Sequence, residues 1–334
     1  MLETLEQSLR VARRALHTAA ILSVATELPE GRLTNAELAE RYGIDEHWIL
    51  TRTGIRERRR AAPEERLSDY AARAGAAALE AASISPDELD LVLVGTLTQD
   101  ELTPNAAPLV AHALGAERAG AIDVGAACTA FLSGLELGTA QIESGRARAV
   151  LLIGADFVTR ITDYEDKRSA LLFADGAGAV VLGPGGDGRG SIGPIVLGAD
   201  GSHRNTIVAD HAERKLKMDG PEVFRHAVNR MGDVTLDAVN RAGLTLADID
   251  LFVYHQANAR ITKALGDRLG LAPERVVDCI EYLGNSSAAT LPLGLAAAEQ
   301  DGRLRPGTRV ALGAFGAGFT WGGGVIEWAG AERG

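Results

Sequence analysis

Apolar residues recur along the chain with two periods. Runs of about five at 119–124, 149–153, 250–254 and 310–314 are rich in Val, Ile, Leu and Ala. They lack polar alternation, which predicts strands buried on both faces. Residues 70–82 and 223–242 carry apolar positions at helical spacing and predict helices with one buried stripe. A small-residue turn at 125–127 leads into another apolar, helix-compatible segment that ends near Ile142. Strand and helix alternate throughout, the pattern of an α/β chain whose sheets are covered by helices. No apolar run approaches the roughly 18 residues of a membrane span.

The pattern occurs twice. Residues 86–95 (PDELDLVLVG) resemble residues 246–255 (LADIDLFVYH). Asp90-Leu91 and Asp250-Leu251 are 160 positions apart, as are Gly134-Leu135 and Gly294-Leu295. Each copy runs from a helix into a strand and polar loop, then helix, strand, small-residue turn, apolar helix and closing strand. A period this long exceeds any solenoid unit and reads as one α/β domain duplicated and fused. The expected architecture is layered, with helices sandwiched between two sheets related by a pseudo-twofold axis. The Pro/Gly-rich segment 184–190 reads as the surface turn between the copies. The expected division is an extension at 1–17, a first half at 18–190 and a second half at 191–334. Residues 1–16 form a charged, helix-compatible lead-in without the apolar core of a signal peptide.

Composition narrows the chemistry. The two cysteines, Cys128 and Cys279, make no disulfide framework in 334 residues and point to a reducing cytoplasm. A net charge of −11 argues against nucleic acid, and an acidic protein partner would need a local basic patch. The seven histidines have no metal-ligand spacing, so no metal site is read. Neither a phosphate-binding GxxxxGK[ST] loop nor a dinucleotide fingerprint is present.

Four apolar runs end in residues that can do chemistry. Run 119–124 leads to Cys128, run 250–254 to His255, run 275–282 to Asn285, and run 309–314 to Phe315-Gly316-Ala317-Gly318-Phe319. Strand ends are where sites form in open α/β sheets. Cys128 is expected at a helix N-terminus, where N–H groups and the helix dipole ease ionisation of a thiol. Each residue also has an ordinary use, since free cysteines pack in cores and Asn beside Gly holds turns. Together they suggest more. A cysteine can carry an acyl group, while a neutral His and an untitratable Asn can both donate to a forming enolate oxygen. A Lys or Arg there would hold a substrate carboxylate in the ground state. The set suits decarboxylation of a malonyl thioester and attack of the carbanion on an acyl-cysteine.

With these pieces assembled, the chain from about residue 18 onward resembles beta-ketoacyl-acyl carrier protein synthase III of the thiolase superfamily. The resemblance is carried by WILTRTGI at 48–55, the Cys128 turn, FADGAGA at 173–179, HQANARI at 255–261, GNSSAA at 284–289 and FGAGFTWG at 315–322. It implies a thiolase-like fold of two duplicated α/β halves in a five-layered α-β-α-β-α sandwich. It implies an acyltransferase that initiates fatty acid synthesis by condensing an acyl-CoA primer with malonyl-acyl carrier protein. Cys128 would be the nucleophile, His255 and Asn285 the decarboxylation pair, and the N–H groups of Cys128 and Ala317 the oxyanion hole. Coenzyme A enters as substrate, no cofactor is needed, and the enzyme would be a homodimer. Trp48, Arg52, Lys167, Asn258 and Phe315 would line the substrate path, with Lys167 where relatives stack an arginine on adenine. Thr103, where some relatives carry Phe, would deepen the primer pocket. Arg225 and Arg260 match carrier-protein-binding positions, with Arg214, Lys215, Lys217 and Lys263 nearby. Two alternatives keep the fold: a starter synthase or acyltransferase of a polyketide pathway, and a non-catalytic subunit that only stabilises a dimer.

Overall fold

The computed structural model describes residues 18–186 and 188–330, so the expected extension at 1–17 lies outside the described residues. The first copy begins with β1 (Ala19–Glu27), then the ribbon β2 (Arg32–Thr34) and β3 (Glu57–Arg59) around α1 (Asn35–Tyr42) and α2 (Glu46–Thr53). It continues with α3 (Leu67–Ala82), β4 (Leu91–Gly95), α4 (Ala106–Leu114), β5 (Gly120–Val124) and α5 (Ala130–Glu143). It closes with β6 (Val150–Phe157), the short α6 (Lys167–Ala170) and β7 (Asp175–Pro184). The second copy opens with β8 (Ser191–Ala199), the ribbon β9 (Ile207–Val208) and β10 (Lys217–Met218), and the long α7 (Gly220–Arg241). Then come β11 (Leu251–Tyr254), α8 (Ala259–Leu269), α9 (Ile280–Leu283), α10 (Thr290–Gln300), β12 (Arg309–Gly316) and β13 (Thr320–Glu327).

One sheet has the order β1-β7-β6-β4-β5 and the other β11-β12-β13-β8, so neither borrows a strand from the other copy. Apolar residues occupy both faces of the central strands because both faces are covered. On β6, Val150 and Leu152 pack inward with Phe131 and Leu135 of α5 and Leu291 and Leu295 of α10. Their neighbours Leu151 and Ile153 pack outward with α3 and α4. On the second sheet, Val253 and Leu312 join the inner core, while Phe252 and Ala311 pack against α7 and α8. The result is the thiolase-like five-layered sandwich, with α5 and α10 as its middle layer.

The duplication extends to hydrogen bonds. Leu91 pairs with Val150 in parallel, and Leu251 with Val310, both 160 residues on. Asp90 accepts from the Ala149 N–H at 3.3 Å, and Asp250 accepts from the Arg309 N–H at 2.8 Å. Capping boxes Ser85–Glu88 and Thr245–Asp248 precede the two strands. One predicted strand is absent. Residues 275–282 supply only an isolated bridge from Val276 to Phe252, and then α9 begins. Pro273 starts a 3-10 turn just before, and Asp278 and Glu281 interrupt the apolar run, so too little is left for a strand. The second sheet therefore has four strands where the first has five.

The two copies meet at backbone distance. A Cβ on Gly154 of β6 would lie 2.3 Å from the Ala288 carbonyl oxygen, and one on Gly178 of β7 would lie 2.8 Å from Pro292. Gly154→Ala should therefore cost about 1–3 kcal/mol through overpacking against backbone that cannot swing away. The measurement is the denaturant midpoint, which should fall with the slope unchanged.

Candidate active site

Cys128 lies in a 3-10 turn, Ala127–Thr129, that feeds the N-terminus of α5. Its counterpart 160 residues later is the 3-10 turn Ser287–Ala289, which feeds α10. Ala127 and Ser287 occupy the same place in these turns and share the left-handed conformation, with φ of 46° and 51°. Such a backbone is unfavourable for a non-glycine residue and persists only where surroundings impose it. Here each turn is pressed against the opposite copy. A Cβ on Gly316 would lie 3.0 Å from the Cys128 nitrogen, so any side chain there would force the turn to give by a few tenths of an ångström.

His255 follows β11 and is buried, as is Asn285. Asn285 is not at a strand end, as its preceding run had suggested. It is held from the first copy instead: its N–H donates to the Leu172 carbonyl at 3.0 Å, and its carbonyl accepts from the Ala174 N–H at 2.9 Å. Its side-chain oxygen accepts from the Ser287 N–H at 3.0 Å. That bond fixes the amide and turns its NH2 group away from the turn. His255 Nδ1 lies 2.7 Å from the Thr290 hydroxyl, which is also 2.9 Å from the Ser287 carbonyl. The Ser287 carbonyl already accepts the Thr290 N–H. The hydroxyl has one proton for these two neighbours: given to Nδ1 it leaves the ring proton on Nε2, and given to the Ser287 carbonyl it leaves the ring proton on Nδ1.

Cys128, His255, Asn285, Phe315 and Ala317 all line one cavity of about 660 Å³. Its outer part is formed by Trp48, Arg52, Asn258, Arg260 and Arg168. Trp48 and Arg52 are four residues apart on α2, which places them on one face, and the guanidinium sits 5.6 Å from the indole ring centre. Asn258 caps α8, accepting from the Arg260 N–H at 2.9 Å and donating to the Arg52 carbonyl at 3.2 Å. It ties the second copy to the helix that carries Trp48.

Several expectations change. Lys167 is exposed and outside the cavity wall; its neighbour Arg168 lines it, because Asp166 caps α6 and pairs with the Arg168 guanidinium at 3.0 Å. Thr103 lies on an exposed loop and does not reach the cavity of its own chain. The basic cluster is largely paired within the chain: Arg225 with Glu222 at 2.6 Å, Lys263 with Asp267 at 2.8 Å, Lys215 with Asp163 at 3.2 Å, and Lys217 with Glu213. Cys279 is only partly buried, beside the amide of Gln256. Among the described residues, His203, Glu222 and His226 bring possible metal-ligand atoms within 4.8 Å of one another. Spacing concealed this group because His203 lies far upstream of α7, and Glu222 is already engaged by Arg225 and His226.

The largest electrostatic change concerns the sulfur. Helix position alone predicts an easily ionised thiol, but burial pushes Cys128 up to about 11. The Ser287 hydroxyl, 3.4 Å from Sγ, opposes that rise, and the nearby charge of Asp156 adds to it. Burial also lowers His255 to about 4, so the imidazole is neutral at ordinary pH. Asp156 is fully buried on β6, and burial raises its carboxyl too. Sequence reading passed over Asp156 although a signal was there, the lone charge in an otherwise apolar strand. Ser287 and Thr290 gave no signal of their own.

Known proteins resemble this chain over most of its length. The profile described as 3-oxoacyl-[acyl-carrier-protein (ACP)] synthase III matches residues 122–201, and the one for its C-terminal part matches residues 239–328. A beta-ketoacyl-[acyl-carrier-protein] synthase III of Symbiobacterium thermophilum is 40% identical over 322 residues, covering 92% of this chain and 97% of its own. The crystal structure of the synthase III from Thermus thermophilus superposes with a TM-score of 0.90 at 40% identity, covering 93% of this chain and 100% of its own. The priming beta-ketosynthase from the R1128 polyketide pathway gives 0.88 at 36% identity, covering 93% and 96%.

Proposed function

The chain belongs to the 3-oxoacyl-[acyl-carrier-protein] synthase III family of condensing acyltransferases, and from that premise we propose how its own residues divide the reaction. The enzyme condenses an acyl-CoA primer with malonyl-acyl carrier protein in fatty acid synthesis. Coenzyme A threads past Trp48, Arg52 and Arg168, and the acyl carbonyl meets Cys128 at the cavity floor. The sulfur attacks, coenzyme A leaves as its thiol, and the acyl group remains on Cys128. The backbone N–H groups of Cys128 and Ala317 hold the oxyanion. Malonyl thioester then binds in the same cavity, and loss of CO₂ leaves an enolate. His255 Nε2–H and the Asn285 amide donate to its oxygen, and its carbon attacks the acyl-cysteine, breaking the acyl–sulfur bond so that Cys128 leaves as thiolate and the 3-oxoacyl thioester forms. No step calls for a cofactor. The observation that carries the reading is the meeting of Cys128, His255 and Asn285 on one cavity wall, supplied by both copies of the fold.

The likeness to a polyketide priming synthase supports a second reading, in which the same condensation feeds a polyketide. We also propose that the enzyme works as a cytoplasmic homodimer. Its two cysteines are unpaired. Among the described residues the edge strand β5 pairs only with β4, and Ile122 on it is 53% exposed; Leu102 and Leu137 are exposed as well. An open apolar edge of this kind invites pairing with a second copy. Asp123 of β5 caps the first N–H groups of α4, so the loop bearing Thr103 travels with that edge. In the dimer Thr103 lies toward the other subunit, where a small side chain leaves space for longer or branched primers. Arg225 and Arg260 receive the carrier protein. Exposed ion pairs such as Arg225–Glu222 are worth about 0–1 kcal/mol, so an acidic partner can exchange for them.

Three outcomes test this. Cys128→Ala should take no label from radioactive acyl-CoA yet still release CO₂ from malonyl thioester. His255→Ala or Asn285→Ala should accumulate acyl-enzyme while condensation falls about 10²- to 10³-fold. The pH profile of CO₂ release gives the second check. The working form of His255 is neutral and its folded pKa is depressed to about 4. Activity should therefore persist as pH falls through the ordinary histidine range near 6.5 and fail only near 4. Third, Ile122→Asp should convert the dimer to monomer in light scattering.

A further inference from the structure

We propose that Ser287 is the positioning residue of this active site, presenting the sulfur of Cys128 through its hydroxyl, and that Asp156 anchors the turn from which it does so. This rests on the reading of Cys128 as nucleophile.

Each polar group of Ser287 serves a different member of the site. Its hydroxyl reaches Cys128 Sγ at 3.4 Å, its N–H orients the Asn285 amide at 3.0 Å, and its carbonyl accepts the N–H of Thr290, whose hydroxyl lies 2.7 Å from His255 Nδ1. Its left-handed φ of 51° is what turns all three inward at once. Such a conformation needs a fixed anchor, and Asp156 supplies it. One carboxylate oxygen accepts from the Ala288 N–H at 3.2 Å, and the other from the Leu97 N–H at 2.8 Å and the Thr98 hydroxyl at 2.9 Å. These partners join the loop after β4 in one copy to the turn before α10 in the other.

The Ser287 hydroxyl lies 3.4 Å from Cys128 Sγ. It has one proton to give. Donated to the sulfur, that proton stabilises the thiolate over the thiol. The titratable groups facing Sγ are Asp156 from β6 and His255 after β11, with Arg52, Arg168 and Arg260 further along the cavity. His255 is neutral, which leaves Asp156 and the Ser287 dipole as the opposing local influences on the thiol.

The test is the pH profile of Cys128 alkylation by iodoacetamide in the whole protein, with Cys128→Ala measured alongside to subtract Cys279. Ser287→Ala keeps the backbone contacts to Asn285 and Thr290 and removes only the hydroxyl. Its profile should move to higher pH, slowing alkylation about tenfold at pH 8 for a shift of one unit. Ser287→Gly suits the positive φ and should move the profile the same way, which separates the hydroxyl from backbone strain. Asp156→Asn leaves one accepting oxygen where the turn uses two, so in that background Ser287→Ala should shift the profile less than it does in the parent; if that variant does not fold, the two Ser287 variants decide. A parental profile for both Ser287 variants, or an undiminished Ser287→Ala shift in the Asp156→Asn background, overturns the proposal. Alkylation needs no acyl substrate, so that result leaves acyl transfer standing. Failure of the parent enzyme to take acyl label on Cys128 would instead remove the nucleophile reading itself.

Discussion

The seam where the two copies touch governs the rest of the structure. Strands β6 and β7 of the first copy approach the α10 segment of the second so closely that Gly154 and Gly178 have no room for a Cβ. Gly316 approaches Cys128 from the opposite side less closely, with a Cβ there falling 3.0 Å from its nitrogen. Interiors are packed too tightly to absorb even one methyl at such contacts. The seam therefore fixes, to within a fraction of an ångström, where the Cys128 turn lies relative to Asn285 and His255. Neither copy contains the site alone.

Packing at this distance also sets the electrostatics. The seam excludes water, and in a poorly polarisable interior an ionised group is costly unless local dipoles support it. His255 resolves this by remaining neutral, which is what a donor to an enolate requires. Cys128 faces a harder problem. A helix N-terminus favours the thiolate, but burial and the Asp156 charge favour the thiol, and the thiol prevails before substrate is seated. A sulfur that ionises only within an assembled site is shielded from adventitious oxidation and alkylation, since the thiolate is the reactive form.

Much of this was legible in the sequence, and the parts that were not share a physical reason. The repeat, the layered α/β class and the meeting of Cys128, His255 and Asn285 all depend on local patterns, and these survive in a single chain. Helix α2 placed Trp48 and Arg52 together because four-residue spacing dictates it. What escaped depends on tertiary placement. Asn285 looked like the end of a strand, yet its position is fixed by Leu172 and Ala174 from the other copy. Thr103 faces outward and Arg168, not Lys167, turns into the cavity, neither of which a side-chain period reveals. The basic residues looked like an open patch until their acidic partners were placed beside them.

The duplication explains how one turn came to serve two chemistries. Cys128 and Ala288 are equivalent by the 160-residue offset, and so are Asp156 and Gly316, at corresponding points of the strands that press on the two turns. On one side Asp156 extends a carboxylate that accepts the Ala288 N–H. On the other side Gly316 extends nothing, and even a Cβ there would lie 3.0 Å from the Cys128 nitrogen. The same backbone geometry is thus capped in one copy and uncapped in the other. A carboxylate at 316 would take the N–H that an acyl oxyanion needs and place a negative charge against a forming thiolate. The carboxylate at 156 instead satisfies the N–H of a turn whose task is to hold its neighbours still. On the proposed mechanism, the asymmetry between Asp156 and Gly316, more than the presence of a cysteine, separates a reactive turn from a twin that is a scaffold.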